Sequence, residues 1–169
     1  MYIRLLKVQE NKSFFLFGPR GTGKTYWIKR HFPKGLYIDL LETDFYTDLL
    51  SDPKRLESLI PVGFQDWIII DEIQKVPQLL NEVHRLIEKH HYKFAMTGSS
   101  ARSLRKKGVN LLAGRALTYH MYPLTAIEFG EDFDFDKSLR YGHLPAITQE
   151  KDPEHYLSSY VKTYVREEV

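Results

Sequence analysis

Eight consecutive residues, Gly18-Pro19-Arg20-Gly21-Thr22-Gly23-Lys24-Thr25, satisfy the pattern G-x-x-x-x-G-K-[ST] without mismatch. Glycines at that spacing let the backbone curl until successive N–H groups face inward, an arrangement that suits phosphate oxygens. The segment follows a short apolar run and precedes a helical pattern, so a helix N-terminus adds its positive dipole end to the same spot. In such a loop Lys24 reaches the β and γ phosphates as a point charge, and the Thr25 hydroxyl is a ligand for Mg²⁺. Arg20, at a variable position of the loop, is a secondary phosphate contact.

A second segment completes that chemistry. Trp67-Ile68-Ile69-Ile70 is β-branched and apolar, as a buried central strand should be, and Asp71-Glu72 follows at its carboxyl end. Ligands of open α/β sheets bind at that end of the strands. Asp71 is therefore expected in the Mg²⁺ shell, and Glu72 is expected to polarise water for attack on a γ phosphate. The paired acids favour a hydrolase over a phosphotransferase. The N-K-x-D signature that reads guanine is absent after the loop, which favours ATP over GTP.

Three further groups are candidates. Thr97 ends another apolar run, in Thr97-Gly98-Ser99-Ser100, where it has reach to a γ phosphate or a water; Ser99 and Ser100 either share that role or cap the next helix. Arg115 is the candidate for an arginine that stabilises transition-state charge, in cis or from a neighbouring subunit, with a solvated basic face or a nucleic-acid contact as the alternative. Arg102, Arg105, Lys106 and Lys107 form a basic cluster, either a solvated face or a contact for nucleic acid. The seven histidines show no metal-ligand spacing. Asp132, Asp134 and Asp136 resemble the opening of a calcium loop, but Lys137 and His143 stand where glycine and glutamate are required.

The elements that must position these residues alternate. Strands are predicted at 13–17, 36–40, 67–70, 93–97 and 116–122, with helices over 24–31, from Asp52-Pro53, from Pro77, and in the basic stretch after Ser100. Between Leu40 and Asp52 the sequence reads as acidic and small residues. This alternation predicts an α/β fold with a parallel sheet covered by helices on both faces. Residues 131–136 read as an exposed acidic loop. After Asp152-Pro153 a helix carries Tyr156, Leu157, Tyr160, Val161, Tyr164 and Val165 on one face, and that stripe either folds back on this domain or meets another protein surface.

Composition sets outer bounds. The chain has 169 residues with 24 Lys+Arg against 22 Asp+Glu, a net charge of +2. That balance gives no global argument for nucleic acid or anionic membranes. Zero cysteines exclude disulfides and thiolate chemistry. No apolar run approaches the length of a membrane span or a signal peptide, and the cytoplasm is the expected location.

With these motifs in order, together with Asp71-Glu72-Ile73-Gln74-Lys75-Val76-Pro77, Leu112-Ala113-Gly114-Arg115-Ala116, Tyr122-Pro123-Leu124-Thr125 and Gly142-His143-Leu144-Pro145, the chain resembles the prokaryotic predicted ATPases of the AAA+ superfamily. The resemblance implies a P-loop NTPase fold, with a five-stranded parallel sheet of order 5-1-4-3-2 and a strand between the phosphate loop and the acid pair. The loop and the acid pair together predict a slow Mg²⁺-dependent ATPase that uses ATP to switch a partner or an attached domain; the alternative is a nucleotide-gated module that binds nucleic acid or protein, with incidental hydrolysis. The resemblance also implies a core over 1–130, followed over 131–169 by an acidic loop and C-terminal helices that begin a second, truncated domain. Gly21 stands where many relatives carry glutamine.

Overall fold

The computed structural model describes residues 2–106 and 112–168, leaving aside the side chains of 103, 105, 106 and 165–168. Five strands, β1 (Ser13–Phe17), β2 (Leu36–Asp39), β3 (Trp67–Asp71), β4 (Lys93–Gly98) and β5 (Ala116–His120), form one sheet of order β2-β3-β4-β1-β5. Every neighbouring pair is parallel. The order is the one that the resemblance implies, with β2 as the added strand. Parallel pairing requires a crossover between successive strands, and these crossovers cover both faces.

That double cover explains why the central strands are apolar throughout. Phe15, Phe17, Ile68, Ile70 and Met96 point to one face, while Phe14, Leu16, Trp67, Ile69 and Ala95 point to the other. On the first face pack α2 (Thr43–Ser51), α3 (Arg55–Leu59) and α4 (Leu79–His90), through Leu49, Leu56, Leu79, Val83 and Leu86. On the second lie α1 (Lys24–His31), through Trp27 and Ile28, and the N-terminal residues Leu6 and Val8. With strand side chains alternating at period two, the buried polar positions of β1, β3 and β4 are few: Ser13, Asp71 and Thr97.

Local differences from the sequence reading have local causes. The stretch read as acidic and small residues contains α2, which packs Phe45, Tyr46 and Leu49 on the core at helical spacing between its acidic and small residues. The following helix starts at Arg55, because the Asp52 carboxylate accepts the Lys54 N–H and closes a turn around Pro53. Likewise α4 starts at Leu79, two residues after Pro77. On α4, Arg85 bridges Glu82 and Glu57, and Lys89 and His90 add to Glu57. The Arg85 guanidinium first, then His90 and Lys89, pull the Glu57 carboxyl down to about 2.

Beyond β4 come α5 (Ala101–Lys106), α6 (Ala126–Phe129), α7 (Phe135–Tyr141) and α8 (Pro153–Glu168). The acidic stretch is exposed but not a plain loop. Gly130–Asp132 is a 3-10 turn, and Asp134 caps α7 by accepting the Lys137 N–H at 3.0 Å. On α8, Tyr156, Tyr160 and Tyr164 stack in series at i, i+4 spacing. The Tyr160 hydroxyl donates to the Arg20 carbonyl at 3.0 Å, which brings this helix against the phosphate loop. Val161 on the expected stripe is instead 53% exposed, and the Val165 side chain lies outside the described residues. Among the described residues, no helix is long and apolar enough to cross a membrane.

Candidate functional site

The site forms where β1, β3 and β4 end. Gly18 follows β1 and its N–H donates to the Gly98 carbonyl at 3.3 Å. A Cβ on Gly18 would stand 2.1 Å from the Met121 carbonyl oxygen, so only glycine fits this crossing beneath the chain that leaves β5. Gly21 and Gly23 have φ of 77° and 88°, and Gly23 is the N-cap of α1. Because Gly23 caps without a side chain, backbone N–H groups rather than a hydroxyl line that helix end. Thr22 is buried, with its hydroxyl donating to the Pro19 carbonyl at 2.9 Å.

Lys24 is 5% exposed, and its ammonium donates to the carbonyls of Gly18 at 2.7 Å and Pro19 at 3.0 Å. These bonds hold the side chain inside the curl of the loop. Thr25, one residue into α1, donates its hydroxyl to Asp71 Oδ2 at 2.7 Å. Asp71, 2% exposed, also accepts from the hydroxyls of Thr97 and Tyr37. A buried carboxylate without such donors would be costly, and three hydroxyls from α1, β2 and β4 supply them here.

Glu72 leaves the strand in the left-handed region, φ 60° and ψ 44°, which turns its side chain away from the path of β3. Its N–H donates to Thr97 Oγ1 at 3.1 Å, and its carboxylate accepts from the Gln74 amide. The expected quartet of Lys24, Thr25, Asp71 and Glu72 thus converges, and Thr97 sits between the two acids. Ser99 is buried, while Ser100 accepts the Arg102 N–H at 3.1 Å and so caps α5.

Arg115 is not at this end of the sheet. It immediately precedes Ala116, which pairs with Ser13, whereas the phosphate loop follows Phe17, which pairs with His120. Five strand residues at about 3.3 Å each set Arg115 roughly 16 Å from the loop. There its guanidinium pairs with Glu88 of α4. A role within its own subunit is therefore corrected: parallel strands carry their amino ends, and the residues before them, away from the ligand edge. Arg102 is exposed, while Lys107 and the side chains of Arg105 and Lys106 lie outside the described residues.

The structure gives two further residues their contacts. Tyr37 of β2 is half-buried; burial first, then its bond to Asp71 and the charges of Asp71 and Asp39, push its hydroxyl far above the usual range, so it stays a donor. Tyr37→Phe should cost about 1.5–3 kcal/mol, as expected for one hydrogen bond to a charged group. In a domain of this size that lowers Tm by roughly 3–12 °C. An unchanged Tm in a calorimetric scan would show that the hydroxyl contributes nothing. Arg4 ties the N-terminal segment to the loop, donating to the Thr22 carbonyl at 3.0 Å, to Glu128 at 3.1 Å and to the Tyr122 carbonyl. Burial alone would raise the Glu128 carboxyl, but the Leu5 and Thr125 N–H groups and Arg4 outweigh it and hold it below the usual range. Beside these residues a cleft of about 570 Å³ opens between the N-terminal segment and α1, lined by Tyr2, Leu6, Trp27, Leu124, Pro145 and Gln149 and reaching Thr22 and Gly23.

A family model described as an AAA domain matches residues 10–130, from the approach to β1 through α6. The chain belongs to that AAA family. Membership makes it a nucleotide-binding, ATPase-like AAA chain with the P-loop α/β fold described above. Among curated proteins it is similar to the uncharacterized protein MJ1544 of Methanocaldococcus jannaschii, 28% identical over 163 residues. That match takes in 93% of this chain and 36% of the relative, so the chain spans about a third of the relative's length. Among solved structures, the Aeropyrum pernix Orc1 protein in complex with DNA aligns with a TM-score of 0.44 at 17% identity, covering 70% of this chain and 41% of that one.

Proposed function

We propose that this AAA chain binds ATP with Mg²⁺ and hydrolyses it slowly, using the nucleotide state to switch a partner or an attached domain. The observation that carries the reading is the 2.7 Å hydrogen bond between Thr25 and Asp71, which joins the phosphate loop to the strand-end acid across the sheet. A hydroxyl and a carboxylate at that spacing are hard oxygen donors of the kind Mg²⁺ takes together with substrate phosphates. When bound there through Thr25 and Asp71, the ion supplies charge neutralisation on the β and γ phosphates.

The loop N–H groups and Lys24 hold the triphosphate, and the 570 Å³ cleft is within the usual size of a small-ligand site for the nucleoside. Its lining by Tyr2, Trp27 and Leu6 suits a flat apolar base, and Gln149 offers an amide for its edge. Glu72 accepts the proton of the attacking water, and Thr97 holds the two acids in a fixed relation through its bonds to Asp71 and to the Glu72 N–H. Residues 131–169 begin the part of the protein that responds to the nucleotide.

Titration of the folded protein with Mg-ATP in a calorimeter, followed by a phosphate-release assay without added acceptor, tests this. Saturable heat and acceptor-independent phosphate are expected. A flat titration overturns the reading.

A further inference from the structure

The Gln74 side chain has no place in the phosphate loop, the metal shell or the core, yet its position is built. It lies in the 3-10 turn Ile73–Lys75 that follows Glu72, and its amide Nε2 donates to Glu72 Oε2. Its other amide atom rests on β4: a Cβ on Gly98 would stand 2.7 Å from Gln74 Oε1 and 3.2 Å from the Phe17 ring. Gly98 is therefore a residue whose missing side chain makes room for this amide. The Gly98 carbonyl accepts the Gly18 N–H, so the surface that seats Gln74 is the one that anchors the start of the phosphate loop.

The backbone of Glu72 adds to this. With φ at 60° a non-glycine residue is in a sparsely populated conformation, sustained by the bond from its N–H to Thr97 on one side and by the tight turn on the other. Those constraints set the direction in which the side chain leaves. They leave its own torsions to be set, and a glutamate has three. A fixed neutral donor on one carboxylate oxygen sets them without supplying a charge that would compete with the substrate.

We infer that Gln74 is the positioning residue of the hydrolytic reaction, aiming the Glu72 carboxylate at the attacking water while Gly98 provides the space it needs. The inference rests on the ATPase reading above. Misplacing a catalytic group by about 1 Å can cost on the order of 10²-fold in rate, whereas ground-state binding of the nucleotide does not pass through Gln74.

The test uses Gln74→Ala and Gln74→Met, the second of which keeps the volume against Gly98 while deleting the donor. Both are combined with Glu72→Gln, and thermal melting is read alongside. Each single variant is expected to lower kcat by roughly 10- to 100-fold, with KM and the calorimetric Kd for Mg-ATP within about 2-fold of the parent. In the Glu72→Gln background the same changes should lower the residual rate no further, because a residue that acts only through Glu72 has nothing left to act on. A structural role would instead lower the rate in both backgrounds and raise Kd. Parent-like or raised kcat in Gln74→Met, or an additive loss in the double variant, overturns the inference and leaves the ATPase reading standing. Parent-like turnover in Glu72→Gln overturns the inference and the assignment of the base but not the ATPase reading; no Mg-ATP binding by the parent overturns both.

Discussion

Lys24→Ala is expected to weaken Mg-ATP binding by about 30- to 5,000-fold, to the point where calorimetry at micromolar protein records no saturable heat. Truncating one partner of a buried, hydrogen-bonded charge pair costs roughly 2–5 kcal/mol, and about 1.4 kcal/mol is a factor of ten in Kd. Lys24 meets the condition: it is 5% exposed and directed into the curl by the carbonyls of Gly18 and Pro19. Those bonds also mean that the variant loses part of what shapes the loop. Melting temperature has to be compared alongside, and a variant that keeps its Tm while losing its heat isolates the charge. A variant that binds Mg-ATP like its parent would remove the loop from the site.

Glu72→Gln is expected to do the opposite, keeping Mg-ATP affinity within a few-fold and losing turnover by about 10²–10⁴-fold, the usual weight of a positioned general base. Glutamine matches glutamate in size and keeps an acceptor for the Gln74 amide, but it cannot take a proton. The backbone bond from residue 72 to Thr97 is untouched by the change. Phosphate release at the parent rate would show that another group activates water, and Asp71, the neighbouring carboxylate, would be next to examine. Taken together the two variants separate grip from chemistry, which neither does alone.

Much of the site was legible before any coordinates, for a physical reason. The loop and its helix are contiguous, so Gly18 to Thr25 carries its whole geometry in local spacing. The acids at 71 and 72 follow four apolar residues, and a buried strand must end where ligands meet the sheet. The strand order was implied by resemblance rather than by spacing, since nothing local in β2 says which neighbour it takes. Tyr37 was missed because its function depends on register: β2 and β3 run level, with Tyr37 beside Ile69 and Asp39 beside Asp71, and a tyrosine in an apolar strand looks like packing. The contacts of Arg4 were not legible for the same kind of reason, its partners Thr22, Tyr122 and Glu128 being distant in sequence. The position of Arg115 within its own subunit was legible too. A residue that precedes a parallel strand stands at the amino edge, and the predicted topology already carried that information.

The bond from Tyr160 to the Arg20 carbonyl has a thermodynamic consequence. The peptide units that turn their N–H groups toward phosphate turn a carbonyl outward, and one such carbonyl is tethered to a stack of three aromatic rings along the last helix. Curvature of the loop and seating of that helix are thus one mechanical variable. Reciprocity then fixes the magnitude: whatever free energy an occupied loop adds to or subtracts from the docked helix, a ligand that seizes the helix returns to the loop in equal measure.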